Sequence, residues 1–105
     1  MKYDNPTFEN FKELVSKSEE LYDKAYCLYA PEVTSILNKP IVTCEPVECL
    51  LDNLLAFCED RRCMELYRQV CRHLYQYYPD SAVFYAKLYI DNYLRRIFYN
   101  ESNND

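Results

Sequence analysis

The sequence contains no glycine, and this absence excludes several kinds of catalytic and ligand-binding loop. Phosphate-binding loops need glycine because it lets backbone N–H groups approach the anion closely. The dinucleotide fingerprint, the P-loop and the nucleophile elbow all require glycine at fixed positions, so none of them is present. Tight two-residue β-hairpins also depend heavily on glycine. The chain is punctuated instead by five prolines, which commonly begin helices.

The sequence also lacks a long apolar run. No segment approaches the roughly 20 apolar residues that cross a bilayer. The first residues show neither the apolar region nor the cleavage site of a secretory signal. We therefore expect a cytoplasmic protein with no membrane partner, in which the six cysteines are reduced thiols and not disulfides.

The size and composition are those of one small globular domain. The chain has 105 residues, of which 50% are hydrophobic and 28% charged. This balance is typical of a folded domain of ordinary size. We predict a single helical domain over residues 1–99, followed by a disordered polar tail over residues 100–105.

The first part of the chain shows apolar residues at three- or four-residue spacing, which predicts an amphipathic helix. Asn5 is suited to cap it and Pro6 to occupy its first position. The helix should end near Ala30, because Pro31 disfavours helical geometry in the residue before it. A short second helix is predicted over residues 31–38. The predicted apolar face of the first helix consists of Phe8, Phe11, Val15, Tyr22, Ala25 and Tyr29, broadened by Leu14, Leu21 and Leu28.

An extended connection over residues 39–43 precedes three further predicted helices. The third helix begins at Pro46, the fourth is capped by Asp60, and the fifth follows the turn at Pro79, where Asp80 or Ser81 caps it. The predicted buried faces are Val47, Leu50, Leu51, Leu54, Leu55 and Cys58 on the third helix, Cys63, Leu66, Tyr67, Val70, Leu74 and Tyr78 on the fourth, and Val83, Ala86, Ile90, Leu94 and Ile97 on the fifth. Short connections make consecutive helices antiparallel. The predicted fold class is therefore all-α, a compact antiparallel bundle of four main helices plus one short helix.

The residues able to bind metals or perform nucleophilic chemistry are poorly arranged for either task. Cys44 and Cys49 lie at one end of the third helix and Cys58 and Cys63 at the other, about 18 Å away at 1.5 Å per residue. One zinc ion cannot easily join both pairs, whereas buried free cysteine is common. His73 is the only histidine and has no visible orienting partner. We predict no metal site, no cofactor and no enzymatic activity.

Charge divides the chain into two unlike parts. Residues 1–60 carry five basic and twelve acidic side chains, a net charge of −7, whereas residues 61–105 carry seven basic and five acidic, a net charge of +2. The basic residues of the second part are six arginines and one lysine, and this part also holds eight of the twelve tyrosines. Arginine and tyrosine are enriched in protein–protein hot spots. The predicted partner-binding residues are Arg61, Arg68, Arg72, Tyr75, Tyr85, Tyr89, Tyr93, Arg95 and Arg96. The competing interpretation is that these tyrosines fill the rim of a small core.

Two functions from different classes follow from this surface. The first is a non-enzymatic interaction protein that serves as adaptor, regulator or inhibitor of a partner protein. By analogy, it could be a phage or mobile-element product that acts on host machinery. The alternative is a nucleic-acid-binding protein that uses the arginine- and tyrosine-rich hairpin. The net charge of −5 disfavours this alternative, because affinity for nucleic acid depends on phosphate neutralisation. The two parts carry net charges of opposite sign and are therefore complementary, so that two copies of the chain can pair them. We therefore also predict a homodimer.

Overall fold

The computed structural model describes the backbone of residues 8–103 and the side chains of residues 16–92. Within this part the chain forms four α-helices and no strand: α1 (Phe8–Leu37), α2 (Glu45–Leu55), α3 (Arg61–Tyr75) and α4 (Pro79–Asn103). The predicted all-α fold class is confirmed. The predicted cap and first residue of the first helix, Asn5 and Pro6, lie outside the described residues.

α1 is one continuous helix, so the predicted break at Pro31 is wrong. A proline inside a helix removes one backbone hydrogen bond and crowds the preceding turn, at a cost of about 3 kcal/mol. Beyond the proline, Val33 is only 1% exposed, and Ile36 and Leu37 pack against the same core. Their burial offsets the cost, since one fully buried aliphatic side chain contributes about 1.5–3 kcal/mol. The separate short helix predicted over residues 31–38 is therefore replaced by the last turns of α1.

α2 and α3 agree most closely with the predicted helix starts and buried faces. Pro46 lies in the first turn of α2, where its missing N–H would be unpaired in any case. The Asp60 carboxylate caps α3, because it accepts hydrogen bonds from the backbone N–H groups of Arg62 (3.1 Å) and Cys63 (3.2 Å). The buried side chains of the two helices are Val47, Leu50, Leu51, Leu54, Cys63, Leu66, Tyr67, Val70, Cys71 and Leu74. All of them except Cys71 belong to the predicted faces.

α3 is the central helix, and each of the other three packs against it. α2 also touches α4 to a smaller extent. Leu51, Leu54 and Leu74 are completely buried where these helices meet. On the other side, the Arg62 guanidinium links α3 to α1 through Asp23, at 2.6 Å, and lies 5.1 Å from the centre of the Tyr26 ring. This ion pair is exposed to solvent, so it contributes little to the stability of the fold.

α4 begins earlier and ends later than predicted. Its first residue is Pro79, so Asp80 and Ser81 lie in its first turn and not at its cap. The helix continues to Asn103 and includes the first four residues of the tail predicted from Asn100. None of the helices in the described part of the chain combines the length and the apolar content that a bilayer-spanning segment requires.

The buried face of α4 also differs from the prediction. Ala82 and Tyr85 are buried and Tyr89 is half-buried, and we call these three residues the inner row. Val83, Ala86 and Ile90, which we call the outer row, were predicted to be buried. Val83 and Ile90 are in fact 42% and 49% exposed, so the prediction is wrong for both. The predicted core residues Leu94 and Ile97 lie outside the described side chains.

A hydrogen bond on the inner row helps to explain this orientation of α4. The buried Tyr67 hydroxyl of α3 donates to the backbone carbonyl of Tyr85 at 2.6 Å. The rings of Tyr67 and Tyr89 also pack together, with centroids 5.8 Å apart. A buried tyrosine hydroxyl needs a polar partner, and the Tyr85 carbonyl on the inner row supplies it. The outer row is consequently left at the surface.

Candidate functional site

A groove runs along the surface between α3 and α4, and within residues 16–92 it is the best candidate for a binding site. It consists of two adjoining depressions of about 250 Å³ each. The first is lined by Met64, Tyr67, Arg68, Cys71, Ala86, Tyr89 and Ile90. The second is lined by Arg68, Cys71, Arg72, Tyr75, Ala82, Val83 and Ala86. We call the two together the α3–α4 groove.

The floor of the groove is apolar because it joins two apolar surfaces. α4 contributes the outer row, which its own chain leaves partly uncovered. α3 contributes Met64 and Cys71, which lie seven residues apart and therefore on the same side of the helix. Ala86 and Cys71 line both depressions and form the floor where the two meet. The small side chain of Ala86 keeps this meeting point open.

The rim of the groove is basic. Arg68 lines both depressions and makes two hydrogen bonds to the Glu65 carboxylate, at 3.0 and 3.1 Å. These bonds lower the pKa of Glu65 below its ordinary value, which keeps the carboxylate ionised. Arg72 lines the second depression, and no ion pair joins it to another side chain within residues 16–92. Arg72 is therefore the guanidinium best placed to receive an acidic group from a ligand.

The thiol in the groove is not activated. Burial raises the pKa of Cys71 to about 11, so the sulfur is protonated at neutral pH. A protonated thiol is a poor nucleophile and a poor metal ligand. Cys71 contributes apolar surface to the groove floor, and nucleophilic chemistry there has no support.

The predicted partner-binding residues fall into three groups. Arg68, Arg72, Tyr75 and Tyr89 line the α3–α4 groove, and Tyr75 is 58% exposed. Arg61 is exposed at the start of α3 but does not line the groove. Tyr85 is only 7% exposed and belongs to the core, so its ring is not available at the surface. Tyr93, Arg95 and Arg96 lie on α4, outside the described side chains.

Several tyrosines act in the fold itself. The hydroxyl of Tyr22 donates to the Glu59 carboxylate at 2.6 Å and thereby ties α1 to the turn before α3. Tyr78 donates to the carbonyl of Val42 at 2.7 Å and holds the connection before α2. Together with the Tyr67 bond to α4, these contacts account for part of the tyrosine excess. The high tyrosine count alone is therefore weaker support for a binding surface than the groove is.

Sequence reasoning missed seven residues that line the groove. They are Met64, Tyr67, Cys71, Ala82, Val83, Ala86 and Ile90. Four of them, Tyr67, Val83, Ala86 and Ile90, were assigned to the core because their spacing is that of a buried face. The sequence did contain a signal that part of α4 stays exposed. The inner row and the outer row lie side by side on this helix, and together they form an apolar surface too wide for one neighbouring helix to bury. The sequence alone could not tell which row faces α3.

A second polar cluster joins α2 to α4 but offers no chemistry that we recognise. The Cys44 thiol donates to the Ser81 hydroxyl at 3.3 Å, and this hydroxyl donates to the Glu48 carboxylate at 2.7 Å. Burial raises the pKa of Cys44, so this thiol is also protonated. No histidine belongs to the cluster, and within residues 16–92 no three His, Cys, Asp or Glu side chains are placed to hold a metal ion.

Comparison with known proteins gives no further guide to the site. No protein-family model matches the chain, and neither a curated protein nor a solved structure matches it.

Proposed function

We propose that this chain is a non-enzymatic protein-interaction module, an adaptor, regulator or inhibitor that binds a partner protein in the α3–α4 groove. The observation that carries the proposal is the outer row of α4. Val83 and Ile90 stand 42% and 49% exposed in a row that has the spacing of a buried face. A contiguous exposed apolar surface with a polar rim is typical of a protein-binding site.

The composition of the groove supports a protein ligand. Its centre is apolar, and its edges carry Arg68, Arg72 and the exposed ring of Tyr75. Protein interfaces combine an apolar centre with arginine and aromatic residues in this way. Each depression is smaller than the roughly 300–1,000 Å³ of a typical small-molecule site. Each depression is therefore suited to a single large side chain of a partner.

The charges around the groove favour a partner protein with a local carboxylate over a nucleic acid. The whole chain has a net charge of −5, which repels a phosphate backbone. Arg68 is already bonded to Glu65, so it offers little additional charge for phosphate neutralisation. Arg72 still provides a local positive charge for one or two carboxylates. Nucleic-acid binding is accordingly an outcome of the test below and not part of the proposal.

Three finer expectations accompany the proposal. We take α3 and α4 as antiparallel neighbours, because only residues 76–78 connect them and because Met64 shares a depression with Ile90 while Tyr75 shares one with Val83. Cytoplasmic location and a homodimer remain predictions from the sequence.

The proposal can be tested by site-specific cross-linking in the cells that produce the protein. A photoreactive amino acid replaces Ile90 in the groove, and in a matched control it replaces Asn53, which is exposed on α2. We expect one protein to be cross-linked from position 90 and not from position 53. The identified protein is then purified, and its affinity is measured for the natural chain and for Ile90→Lys.

Besides the absence of any protein adduct at position 90, two results would contradict the proposed function. One is a nucleic-acid adduct at position 90 in place of a protein adduct. The other is a set of protein adducts that is the same at both positions, combined with an affinity that Ile90→Lys leaves unchanged. The first result would favour the nucleic-acid alternative, and the second would remove the groove as the binding site.

A further inference from the structure

The two depressions of the groove are related by a regular shift along α3. The α3 residues of the first depression are Met64, Tyr67, Arg68 and Cys71, and those of the second are Arg68, Cys71, Arg72 and Tyr75. Each residue of the second set lies four positions after its counterpart in the first. Four residues of an α-helix rise about 6 Å, so the depressions repeat at about one helical turn.

The spacing of the depressions matches one kind of ligand. Side chains at positions i and i+4 of an α-helix lie on one face, separated by a rise of about 6 Å. In an extended strand, side chains on one face are two residues and about 6.6–6.8 Å apart, but the strand exposes unpaired backbone groups to the apolar floor. A helix satisfies these groups internally. The apolar floor therefore favours a helical ligand over an extended one.

The positions of the two arginines define where acidic groups of the ligand would lie. Arg72 lines only the second depression, which also contains Tyr75. A carboxylate one turn beyond the apolar side chain in this depression lies about 6 Å farther along the ligand helix, a distance that a long guanidinium side chain can reach. Arg68 borders both depressions but is held by Glu65 at 3.0 Å. Arg72 is therefore the groove arginine that makes no ion pair within residues 16–92 and can receive this carboxylate.

From these observations we infer that the α3–α4 groove binds an amphipathic helix of a partner protein, with two large apolar side chains at positions i and i+4 and an acidic residue one turn beyond them that pairs with Arg72. The inference rests on the proposed function and names the part of the partner that is recognised. The two apolar side chains fill the two depressions, and the acidic residue fixes the position of the helix along the groove.

The test uses a synthetic helical peptide of about 16 residues with both ends blocked. One row on its surface reads glutamate, leucine, leucine, glutamate, with four-residue steps, so an acidic group lies beyond the leucines in either binding direction. Two control peptides have the leucines two residues apart, or lysines in place of the glutamates. Affinity for the full-length protein is measured by titration with a fluorescent label on the peptide.

We expect the first peptide to bind at least tenfold more tightly than the peptide with altered leucine spacing, because each anchoring side chain fills its own depression. Ala86→Phe fills the floor where the depressions meet and should reduce binding at least tenfold. Arg72→Glu should weaken binding of the glutamate peptide about threefold to tenfold and strengthen binding of the lysine peptide by a similar factor. This exchange of preference cannot arise from misfolding, and it remains informative if Ala86→Phe disturbs the helix packing.

Three results would overturn the inference. The first is binding that does not depend on leucine spacing. The second is binding that Ala86→Phe leaves intact while the fold is preserved. The third is failure of the peptide to bind at millimolar concentration although Ile90 cross-links to a partner, in which case the proposed function stands and the helical ligand does not. Absence of any protein cross-link at Ile90 would instead contradict the proposed function itself.

Discussion

α3 and α4 are neighbouring helices that distribute their apolar residues in different ways. On α3 the apolar residues of the predicted face are almost completely buried, with Val70 and Leu74 at 0% exposure. On α4 they extend from Phe84 and Leu88 through the inner row to the outer row, an arc of about 260° at 100° per residue. A surface helix usually carries a narrower apolar stripe. α4 therefore has more apolar surface than its own chain covers, and the uncovered part forms one wall of the groove.

This comparison explains which parts of the fold could be predicted from the sequence. The faces of α2 and α3 were predicted correctly because charged residues such as Glu65 and Arg68 mark the opposite side. The face of α4 was not, because periodicity detects that a helix is amphipathic but does not choose between two adjacent apolar rows. That choice is made by tertiary contacts, among them the bond from Tyr67 to the Tyr85 carbonyl. The continuation of α1 through Pro31 likewise depends on burial of Val33, which no local rule contains.

The candidate site was predictable only in part, because the sequence shows chemically distinctive residues but not how two helices pack. Arg68, Arg72 and Tyr75 were found because their side chains are chemically conspicuous and lie on one ridge of a helix. Ala86 and Cys71 are small residues in the floor of a groove, and only the packing of two helices shows that they line it.

The largest expected difference in the free energy of unfolding is between a substitution at a buried residue of α3 and one at an exposed residue of α4. Leu74→Ala should lower the free energy of unfolding by about 2–5 kcal/mol, because it leaves a cavity at a fully buried position. Val83→Ala, which removes apolar atoms from the outer row, should change it by less than about 0.5 kcal/mol. Urea titrations of both variants measure the two values. A similar loss for both would mean that the outer row belongs to the core.

The next effect concerns the start of α3. Asp60→Ala removes the carboxylate that accepts two backbone N–H groups and should cost about 0.5–2 kcal/mol at neutral pH. Asp60→Asn is the matched control, because its side-chain oxygen can still accept these bonds and should retain most of the stability. Equal losses in the two variants would show that the charge matters and the cap does not.

The same carboxylate makes stability depend on pH. Burial alone would raise the pKa of Asp60, but hydrogen bonds from the Arg62 side chain and from backbone N–H groups outweigh it and lower the pKa below its ordinary value of 3.8. The ionised carboxylate therefore stabilises the fold above this value, and the contribution is lost as pH falls through the lower pKa of the folded state. Unfolding measured between about pH 5 and pH 2 should show a steeper loss for the natural chain than for Asp60→Asn. Parallel curves would contradict this role.

A smaller effect is expected where α3 holds the inner row of α4. Tyr67→Phe removes the hydroxyl that donates to the Tyr85 carbonyl at 2.6 Å and should lower the free energy of unfolding by about 0.5–1.5 kcal/mol. Tyr75→Phe is the control, because Tyr75 is 58% exposed, and it should have almost no effect. If Tyr67→Phe is as neutral as Tyr75→Phe, the buried bond does not determine the orientation of α4.

The most direct test of the central claim measures stability and partner affinity together in one variant, Ile90→Lys. The side chain is 49% exposed in the unbound chain, so the free energy of unfolding should change by less than about 0.5 kcal/mol. Affinity for the purified partner identified by cross-linking should fall at least tenfold, which corresponds to about 1.4 kcal/mol. A large loss of stability would instead place Ile90 in the core. Unchanged affinity would show that the α3–α4 groove is not where the partner binds.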